Sequence, residues 1–385
     1  QIPDIRFKGF TDAWEQRKVF DMSEITFGGG TPKTGNEDYW QGNFPWIQSS
    51  DLKNDQLCNV IPTKFITDEA INKSATKAVP ANSIAVVTRV GVGKLALMPY
   101  PYATSQDFLS LSNLKVDPWF GVYSLYVLIQ KEINNIQGTS IKGMTKSDLL
   151  SKNIHIPFAL DEQTKIGNFF KQLDDTIALH QRQMDNCKEL KKTSMQKIFN
   201  QELRFKDKNG NDYPVWQKKK LKDLGKFYSG TGFNDKYQGY LDLSIPFFKV
   251  SDMNIASNSK YMVESNNTVD DDICREMKIN KITGPAILFA KVGAAIYMER
   301  KRIVHNDFLM DNNMMALRIN DSVDIEFTYY LCQSLSFSKY AQVGALPSYN
   351  ASDIGRLHCK LPVISEQKKI AIFLSILDQK VNEAA

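Results

Sequence analysis

Glu162-Gln-Thr-Lys-Ile-Gly-Asn-Phe-Phe-Lys-Gln-Leu-Asp174 returns near the end of the chain as Glu366-Gln-Lys-Lys-Ile-Ala-Ile-Phe-Leu-Ser-Ile-Leu-Asp378. Each copy opens on Glu-Gln, continues with Lys-Ile and closes on Leu-Asp, and the copies lie roughly 200 residues apart. Pro157 and Pro362 precede the two copies and end the strand-like segments before them. A repeat of this spacing predicts that the chain contains two copies of one structural unit.

Further pairs of similar segments occur in the same order along the rest of the chain. They are Trp14–Met22 with Trp216–Leu224, Phe44–Leu52 with Ile245–Met253, Thr88–Gly91 with Ala290–Gly293, Gln106–Phe108 with Asn306–Phe308, and Ser147-Asp148 with Ser352-Asp353. The spacing between partners varies only slightly, and the variation falls where loops are expected. We interpret the pattern as an internal duplication.

Each copy divides into a β-rich part and a helical part. Ser83–Val90 and Pro285–Val292 are apolar runs that end at glycine, as strands do when they enter tight turns. The apolar spacing of Phe327–Leu335 predicts a helix. These signals predict an α+β fold with two tandem α/β domains related by a pseudo-two-fold repeat.

A long helix is predicted after the first β-rich part. Residues 162–200 contain no proline and one glycine, and apolar residues recur in steps of four and three from Ile166 and Phe170 onward, as in a coiled-coil seam. The second copy repeats the seam at Ile370 and Leu374, but the sequence given ends at Ala385, so this helix is expected to be shorter. Because a single apolar seam is unstable in water, we expect two antiparallel coiled-coil-like helices that bury their seams against each other.

The expected organisation has four parts. The boundaries are 1–160 for the first domain, 161–200 for the central spacer helix, 201–361 for the second domain and 362–385 for an apparently truncated C-terminal spacer helix.

Composition excludes several classes of protein. The 385 residues carry 48 basic and 43 acidic side chains, a mild excess of +5 that permits a polyanionic partner without requiring one. The five cysteines are scattered without a CxxC pair, which favours a reducing cytoplasm over a disulfide or zinc framework. We find no apolar run long enough for a membrane helix.

Motifs for catalysis are weak throughout the sequence. Gly91-Val-Gly-Lys94 superficially suggests a phosphate loop but lacks the following residues, and a strand-to-strand turn is the favoured interpretation. Asp117-Pro-Trp-Phe120 has only part of an amino-methyltransferase motif, and the second copy does not reproduce it. The four histidines lie apart, without metal-ligand spacing. We therefore expect no catalytic residues, metal or cofactor.

Polar and basic residues at the expected loop tips are better candidates, because their side chains are the ones that contact phosphates and base edges in DNA. Arg89 and Lys291 stand out, since both copies place a cation after the same strand. The candidate DNA-binding residues are Lys33, Thr34, Ser49, Ser50, Arg89, Lys94, Gln106, Thr139, Ser140, Lys142, Lys249, Lys291, Asn306, Ser348, Tyr349 and Asn350. The basic run Lys188–Lys197 is interpreted first as a solvated helix face and second as a docking surface.

The order of these motifs resembles the specificity subunit of type I restriction–modification enzymes. The resemblance rests on Arg6-Phe7 with Trp14, Gly28–Pro32, Pro45-Trp46, Gly138-Thr-Ser140 and the duplicated Glu162–Asp174 pattern, and it covers essentially the whole chain. One departure is that the second copy has Thr231-Gly-Phe233 where the first has Gly30-Thr-Pro32.

The resemblance implies a non-catalytic subunit whose two target recognition domains each read one half of a bipartite sequence in double-stranded DNA. It also implies helices that set the gap between the half-sites and dock two methyltransferase subunits, with restriction/translocase subunits completing the complex. Two alternatives remain at this point. One is a coiled-coil protein-interaction scaffold without DNA specificity, and the other is a free-standing DNA-modifying enzyme.

Overall fold

A computed structural model describes residue 3 and residues 5–135, 144–342, 344 and 346–384 of the chain. The chain divides into two compact units within one long helix, the first ending at Leu179 and the second beginning at His180. Strands and helices follow one another in the same order in the two units. The repeat in the sequence is therefore a repeat of the fold.

The first unit is a mixed α/β structure. Its strands are β1 (Glu15–Lys18), β2 (Ser23–Gly28), β3 (Phe44–Ile47), β4 (Lys64–Ile66), β5 (Ser83–Val87), β6 (Leu95–Met98), β7 (Ala103–Thr104), β8 (Phe108–Leu114) and β9 (Asn153–Ile156). Its helices are α1 (Asp68–Lys73), α2 (Pro118–Asn135), α3 (Lys146–Ser151) and α4 (Leu160–Phe199), the last of which continues into the second unit, with 3-10 turns at Val19–Met22 and Glu37–Trp40.

The second unit repeats these elements. Its strands are β10 (Gln217–Lys220), β11 (Gly225–Ser229), β12 (Ile245–Phe248), β13 (Thr268–Val269), β14 (Ala286–Ala290), β15 (Lys301–Val304), β16 (Leu309–Met310), β17 (Met314–Ile319) and β18 (His358–Leu361). Its helices are α5 (Leu221–Leu224), α6 (Asp271–Met277), α7 (Ile325–Ser334), α8 (Ala351–Gly355) and α9 (Ile364–Glu383), with 3-10 turns at Asp235–Tyr237, Val250–Asn254, Ala256–Asn258, Ala294–Met298 and Ser338–Tyr340.

The sheets of the two units have the same topology. A four-stranded antiparallel sheet has the order β2-β8-β5-β6 in the first unit and β11-β17-β14-β15 in the second. A three-stranded sheet has the order β4-β3-β7 or β13-β12-β16, and its last pair is parallel. A two-stranded ribbon, β1-β9 or β10-β18, pairs the first strand of each copy with its last strand.

The central strand of each unit separates two cores. All five residues of β5 are buried, and so are all five of β14, as expected for strands covered on both faces. In β5, Ile84 and Val86 pack with the residues of α2, whereas Ala85 and Val87 pack with Ile47 of the three-stranded sheet. The period-two alternation of a strand thus assigns neighbouring residues to different cores.

The repeated Glu-Gln pair fixes the start of each long helix. Glu162 is buried and accepts hydrogen bonds from the Arg6 guanidinium at 2.6 and 2.8 Å and from the Trp14 indole at 3.3 Å. The Gln163 side chain accepts a bond from the Asp117 amide and donates one to the Pro157 carbonyl, which ties the helix to α2 and to β9.

The second unit repeats this arrangement, which we call the helix clamp, at Glu366. Its buried carboxylate accepts bonds from Arg204 at 2.9 Å and from the Trp216 indole at 3.0 Å. Gln367 contacts the Asp324 amide and the Pro362 carbonyl in the same way. A buried carboxylate is stable only with such partners, so the recurrence of arginine, tryptophan and glutamate in both copies has a structural cause.

The apolar seams of the two long helices are buried to different degrees along their length. On α9, Ile370, Leu374 and Leu377 are buried in the core of the second unit together with residues of α7. On α4, Leu173 and Ile177 remain 43% and 66% exposed. The core that covers the α9 seam also contains Ile198 from the last turns of α4, so the two helices share their apolar burial over that part of α4.

Candidate nucleic-acid interface

Three loops of the first unit meet at the ends of its central strands. The turn after β3 is held by Asp51, whose carboxylate accepts the Gln48 amide at 2.9 Å, and it contacts the β5–β6 turn through the Lys94 ammonium, which donates to the Ser49 carbonyl at 3.2 Å. The Thr88 amide donates to the carbonyl of Asp107 in the β7–β8 loop at 2.7 Å. Candidates that lie far apart in the sequence therefore share one surface.

Arg89 is the most exposed cation that these contacts place at this surface. Its side chain is 64% exposed and its Nε lies 4.0 Å from the Asp107 carboxylate, at the limit of an ion pair. Gln106, next to Asp107, and Ser50 are also exposed. A weakly paired guanidinium beside exposed amide and hydroxyl groups can exchange its partner for a phosphate or a base edge at low cost.

The β5–β6 turn needs its glycines. Gly91 and Gly93 have φ angles of +88° and +105°, in the region that side chains rarely adopt. A Cβ on Gly93 would lie 2.6 Å from Cδ1 of Ile133. Gly91-Val-Gly-Lys94 is thus the strand-to-strand turn that its sequence favours, and it places Arg89 and Lys94 at the loop surface.

Sequence reasoning missed one cation of this surface. Lys146, at the start of α3, lines a cavity of about 670 Å³ together with Arg89 and Thr145. Its ammonium also lies against Gly28, where an added Cβ would be 2.4 Å away. The only signal in the sequence was its position directly before the repeated Ser147-Asp148 pair.

Lys33 and Thr34 belong to the loop that follows β2. Both are exposed, and Thr34 lines a shallow cavity of about 490 Å³ with Trp40, Trp46 and Lys64. The Lys64 ammonium lies 5.7 and 5.6 Å from the two indole rings. This loop presents aromatic and basic groups together.

The second unit places its candidates on the equivalent loops. Lys249 follows β12 and donates to the Gln238 amide oxygen at 2.7 Å, with its ammonium 5.3 Å above the Phe233 ring. Lys291 follows β14, and its carbonyl accepts the Tyr349 amide at 3.2 Å, so that residues 346–349 pack along the strand end. Ser348 is partly exposed there, and Asn306 is exposed in the β15–β16 loop.

Two candidates of the second unit have structural roles instead. The Tyr349 ring is 5% exposed within the core, and its hydroxyl donates to the Ala290 carbonyl, so its side chain is corrected from a DNA contact to a packing residue. Asn350 is the N-cap of α8, where its Oδ1 accepts the amides of Ser352 and Asp353 at 2.8 and 3.0 Å. Asparagine is a preferred N-cap residue, so this role explains its presence without a contact to DNA.

The loop in which the two copies differ in sequence also differs in structure. In the first unit the Trp46 indole donates to the Gly30 carbonyl at 3.0 Å. In the second, Phe233 stacks on Phe247 with ring centroids 3.8 Å apart. In the second unit an aromatic ring therefore packs on the strand, whereas in the first unit the backbone of the loop is hydrogen-bonded to it.

The structure gives a local explanation for one of the remaining motifs. Asp117 caps α2 by accepting the Phe120 amide at 2.9 Å, which explains the Asp117–Phe120 pattern structurally. Within the described ranges, no cluster of histidine, cysteine or acidic side chains could hold a metal ion. Thr139, Ser140 and Lys142 lie outside the described residues.

Comparison with known proteins identifies the family. The sequence pattern of the family described as "Type I restriction modification DNA specificity domain" matches residues 11–189 and again residues 194–384. The chain belongs to this family. The two matches correspond to the two copies of the repeat.

One relative in this family matches nearly the full length of the chain, and another matches part of it. The MjaIX specificity subunit of a type I restriction enzyme from Methanocaldococcus jannaschii is 25% identical over 405 aligned residues, which cover 95% of this chain and 91% of the relative. The EcoR124I/EcoR124II specificity subunit from Escherichia coli is 29% identical over 38% of each chain.

Solved structures share the fold. The S subunit of a type I restriction–modification system from M. genitalium has a TM-score of 0.56 at 16% identity, with coverage of 98% of this chain and 93% of that one. A second structure, whose title concerns the complex assembly and conformational transition of the type I R-M system, has a TM-score of 0.54 at 14% identity, with coverage of 97% of this chain and 92% of that one.

Among the helices that the structure describes, none is long and apolar enough to span a membrane.

Proposed function

We propose that this specificity subunit recognises a bipartite DNA sequence, with each unit reading one half through the loops at the ends of its central strands. The subunit itself carries out no catalysis. It directs two methyltransferase subunits, and through them restriction/translocase subunits, to the DNA sites that it selects. The proposed compartment is the cytoplasm.

The observation that supports this proposal is a cation in the loop that follows the same buried strand in both units. Arg89 and Lys291 follow equivalent buried strands, and each lies where another loop of its own unit packs against the strand end. A buried strand fixes the position of the loop that follows it, as base readout requires. The remaining contacts proposed on these loops are Lys33, Thr34, Ser49, Ser50, Lys94, Gln106, Lys249, Asn306 and Ser348.

The two units are suited to different half-sites. The first presents a glycine turn at residues 91–94, whereas the second has a 3-10 turn at Ala294–Met298 in the same place. The loop after β2 also differs from the loop after β11, since Phe233 of the second loop stacks on Phe247. Different loop shapes on one scaffold are what two unlike half-sites demand, and the helices set the distance between them.

The decisive experiment exchanges one unit. Residues 14–158 are replaced by those of a relative, the chimera is expressed with its methyltransferase, and the methylated sequence is read genome-wide. We expect one half of the methylated sequence to change and the other half and the gap to stay. A change in both halves, or in neither, would refute the assignment of one half-site to each unit.

A point variant tests the recurrent cation. Arg89→Ala should reduce methylation at the cognate site by about tenfold or more, since a good bidentate contact provides about 1–3 kcal/mol of discrimination. The matched control is Lys131→Ala, which removes an exposed cation from α2 at a different cavity. Equal methylation by the two variants would show that Arg89 does not contact the DNA. If the chain bound a protein partner tightly but showed no salt-dependent binding to DNA, the alternative of a protein-interaction scaffold would be favoured.

A further inference from the structure

The second unit has a cavity of about 940 Å³ with basic walls. It lies among the last turns of α4, the end of α7 and strand β18. Lys188, Lys191 and Lys192 of α4 and Lys360 of β18 line it, and no carboxylate is among its lining residues. Lys191 is paired with Asp378 at 2.5 Å, and Lys192 is weakly paired with Glu189 at 3.9 Å.

The ribbon beside the cavity concentrates the charge further. Lys218 of β10 is directly opposite Lys360, and Lys220 is directly opposite His358. Alternate residues of a strand share a face, so these four side chains project from the same side of the ribbon. Lys218, Lys360 and His358 are exposed, and within the part of the chain that the structure describes Lys188, Lys218 and Lys360 have no carboxylate within ion-pair distance.

Directly opposed like charges destabilise a strand pair, so the arrangement has an energetic cost in the free protein. The first unit avoids this cost at the equivalent ribbon. There Gln16 is opposite His155, and Lys18 is opposite Asn153. The charge cluster is therefore a feature of one copy only and is not a requirement of the repeated fold.

We propose that the basic cavity lined by Lys188, Lys192 and Lys360, together with Lys218 on the adjoining ribbon, binds phosphate groups of duplex DNA independently of sequence. The proposal rests on the proposed function, because it adds a second contact to the same DNA. Lysine suits the role, since its ammonium is a point charge on a flexible stem that neutralises a phosphate without reading a base. A bound phosphate would also relieve the repulsion between Lys218 and Lys360.

The test measures the salt dependence of binding to a duplex that lacks the target sequence. The full chain, assembled with its methyltransferase subunits, is titrated between about 50 and 200 mM salt, where each neutralised phosphate contributes about 0.9 to the slope of log K against log salt. The Lys218→Gln/Lys360→Gln double variant should lower the slope by about 1.8 and weaken binding at low salt. The methylated sequence should stay the same.

Lys208→Gln is the control, because it removes an exposed cation of the same unit that belongs neither to the cavity nor to the ribbon beside it. It should leave the slope within about 0.3 of the unmodified complex. Thermal unfolding and the mass of the complex are measured in parallel, and the double variant should unfold no earlier than the unmodified chain because a like-charge pair has been removed.

Two results would overturn the proposal. One is an unchanged slope in the double variant. The other is a double variant that loses its methyltransferase subunits, which would assign the cavity to an acidic surface of a protein partner. Both results leave the exchange of residues 14–158 untouched, so failure here is distinguishable from failure of the proposed function.

Discussion

The beginnings of α4 and α9 carry the same motif, yet their apolar residues meet different surroundings. Phe170 and Leu173 are 42% and 43% exposed, whereas their counterparts Leu374 and Leu377 are 0% and 5% exposed. The polar contacts of the motif are nevertheless the same, since Asp174 and Asp378 each accept a hydrogen bond from a tyrosine, Tyr123 in the first unit.

The difference arises from a segment outside the motif. In the second unit the last turns of α4 pack beside the motif, with Ile198 fully buried and the Phe199 ring 5.8 Å from Phe327. In the first unit Trp14 and Phe120, which correspond to Trp216 and Phe327, line a cavity of about 710 Å³. The comparison teaches that the polar contacts of a repeated motif are set locally, while its apolar burial depends on which other segment packs against it.

The largest expected effect is loss of the helix clamp. Glu366→Ala removes the carboxylate that pairs with the Arg204 guanidinium and accepts the Trp216 indole, and breaking such a buried pair costs about 3–5 kcal/mol. Glu162→Ala should cost a similar amount in the first unit. Calorimetric unfolding of both variants checks this, and a cost below about 1 kcal/mol in either unit would show that the clamps are not equivalent.

A smaller effect separates the two seams. Leu374→Ala removes a fully buried side chain and should lower the free energy of unfolding by about 2–5 kcal/mol. Phe170→Ala, at the equivalent exposed position, should lower it by less than about 1 kcal/mol. Denaturant unfolding of the pair gives both values, and equal costs would mean that the Phe170 face is covered in solution.

A third difference between the units is the buried residue Lys301, for which the first unit has a leucine at the start of the equivalent strand. Lys301 is 1% exposed and pairs with Glu299, whereas Leu95 occupies the first position of the equivalent strand in the first unit. Burial alone would raise the pKa of Glu299, but hydrogen bonds from Lys301 and Ser338 outweigh it and lower the pKa to about 2, against an ordinary value of 4.5.

Because the pKa of Glu299 is lowered by folding, its stabilisation is complete above about pH 4.5 and is lost as the pH falls toward 2. The second unit should therefore lose about 2–3 kcal/mol across this range through this group. Glu299→Gln should remove that part of the pH dependence, and stability measured from pH 6 to pH 2.5 checks it. An unchanged acid profile in the variant would contradict the role of the pair.

Much of the fold follows from local sequence. The long helix was predicted from Glu162 to Asn200 and observed as Leu160–Phe199, because helix periodicity and the absence of proline are properties of the segment itself. The strand predicted at Ser83–Val90 ends at Val87, where the turn with positive φ begins. These features need no knowledge of distant residues.

The site was less accessible to prediction, because surface exposure depends on partners distant in sequence. Tyr349 has the composition of a loop contact, but its hydroxyl reaches the Ala290 carbonyl and its ring enters the core. Lys146 reaches the Arg89 loop only through folding. Arg89 and Lys291 could be selected as candidates from the sequence because the duplication allows the two copies to be compared, and both have a cation after the same strand.

The ribbons β1-β9 and β10-β18 have a consequence for inheritance. Glu15 pairs with Ile156, so the chain enters and leaves the first specificity domain at neighbouring points, and Gln217 pairs with Leu361 in the second. Genetic crossovers that fall outside these paired strands would exchange a whole recognition domain and keep the helix that follows it. If each domain reads one half-site, as proposed, a single exchange of this kind would replace one half of the DNA target and keep the other.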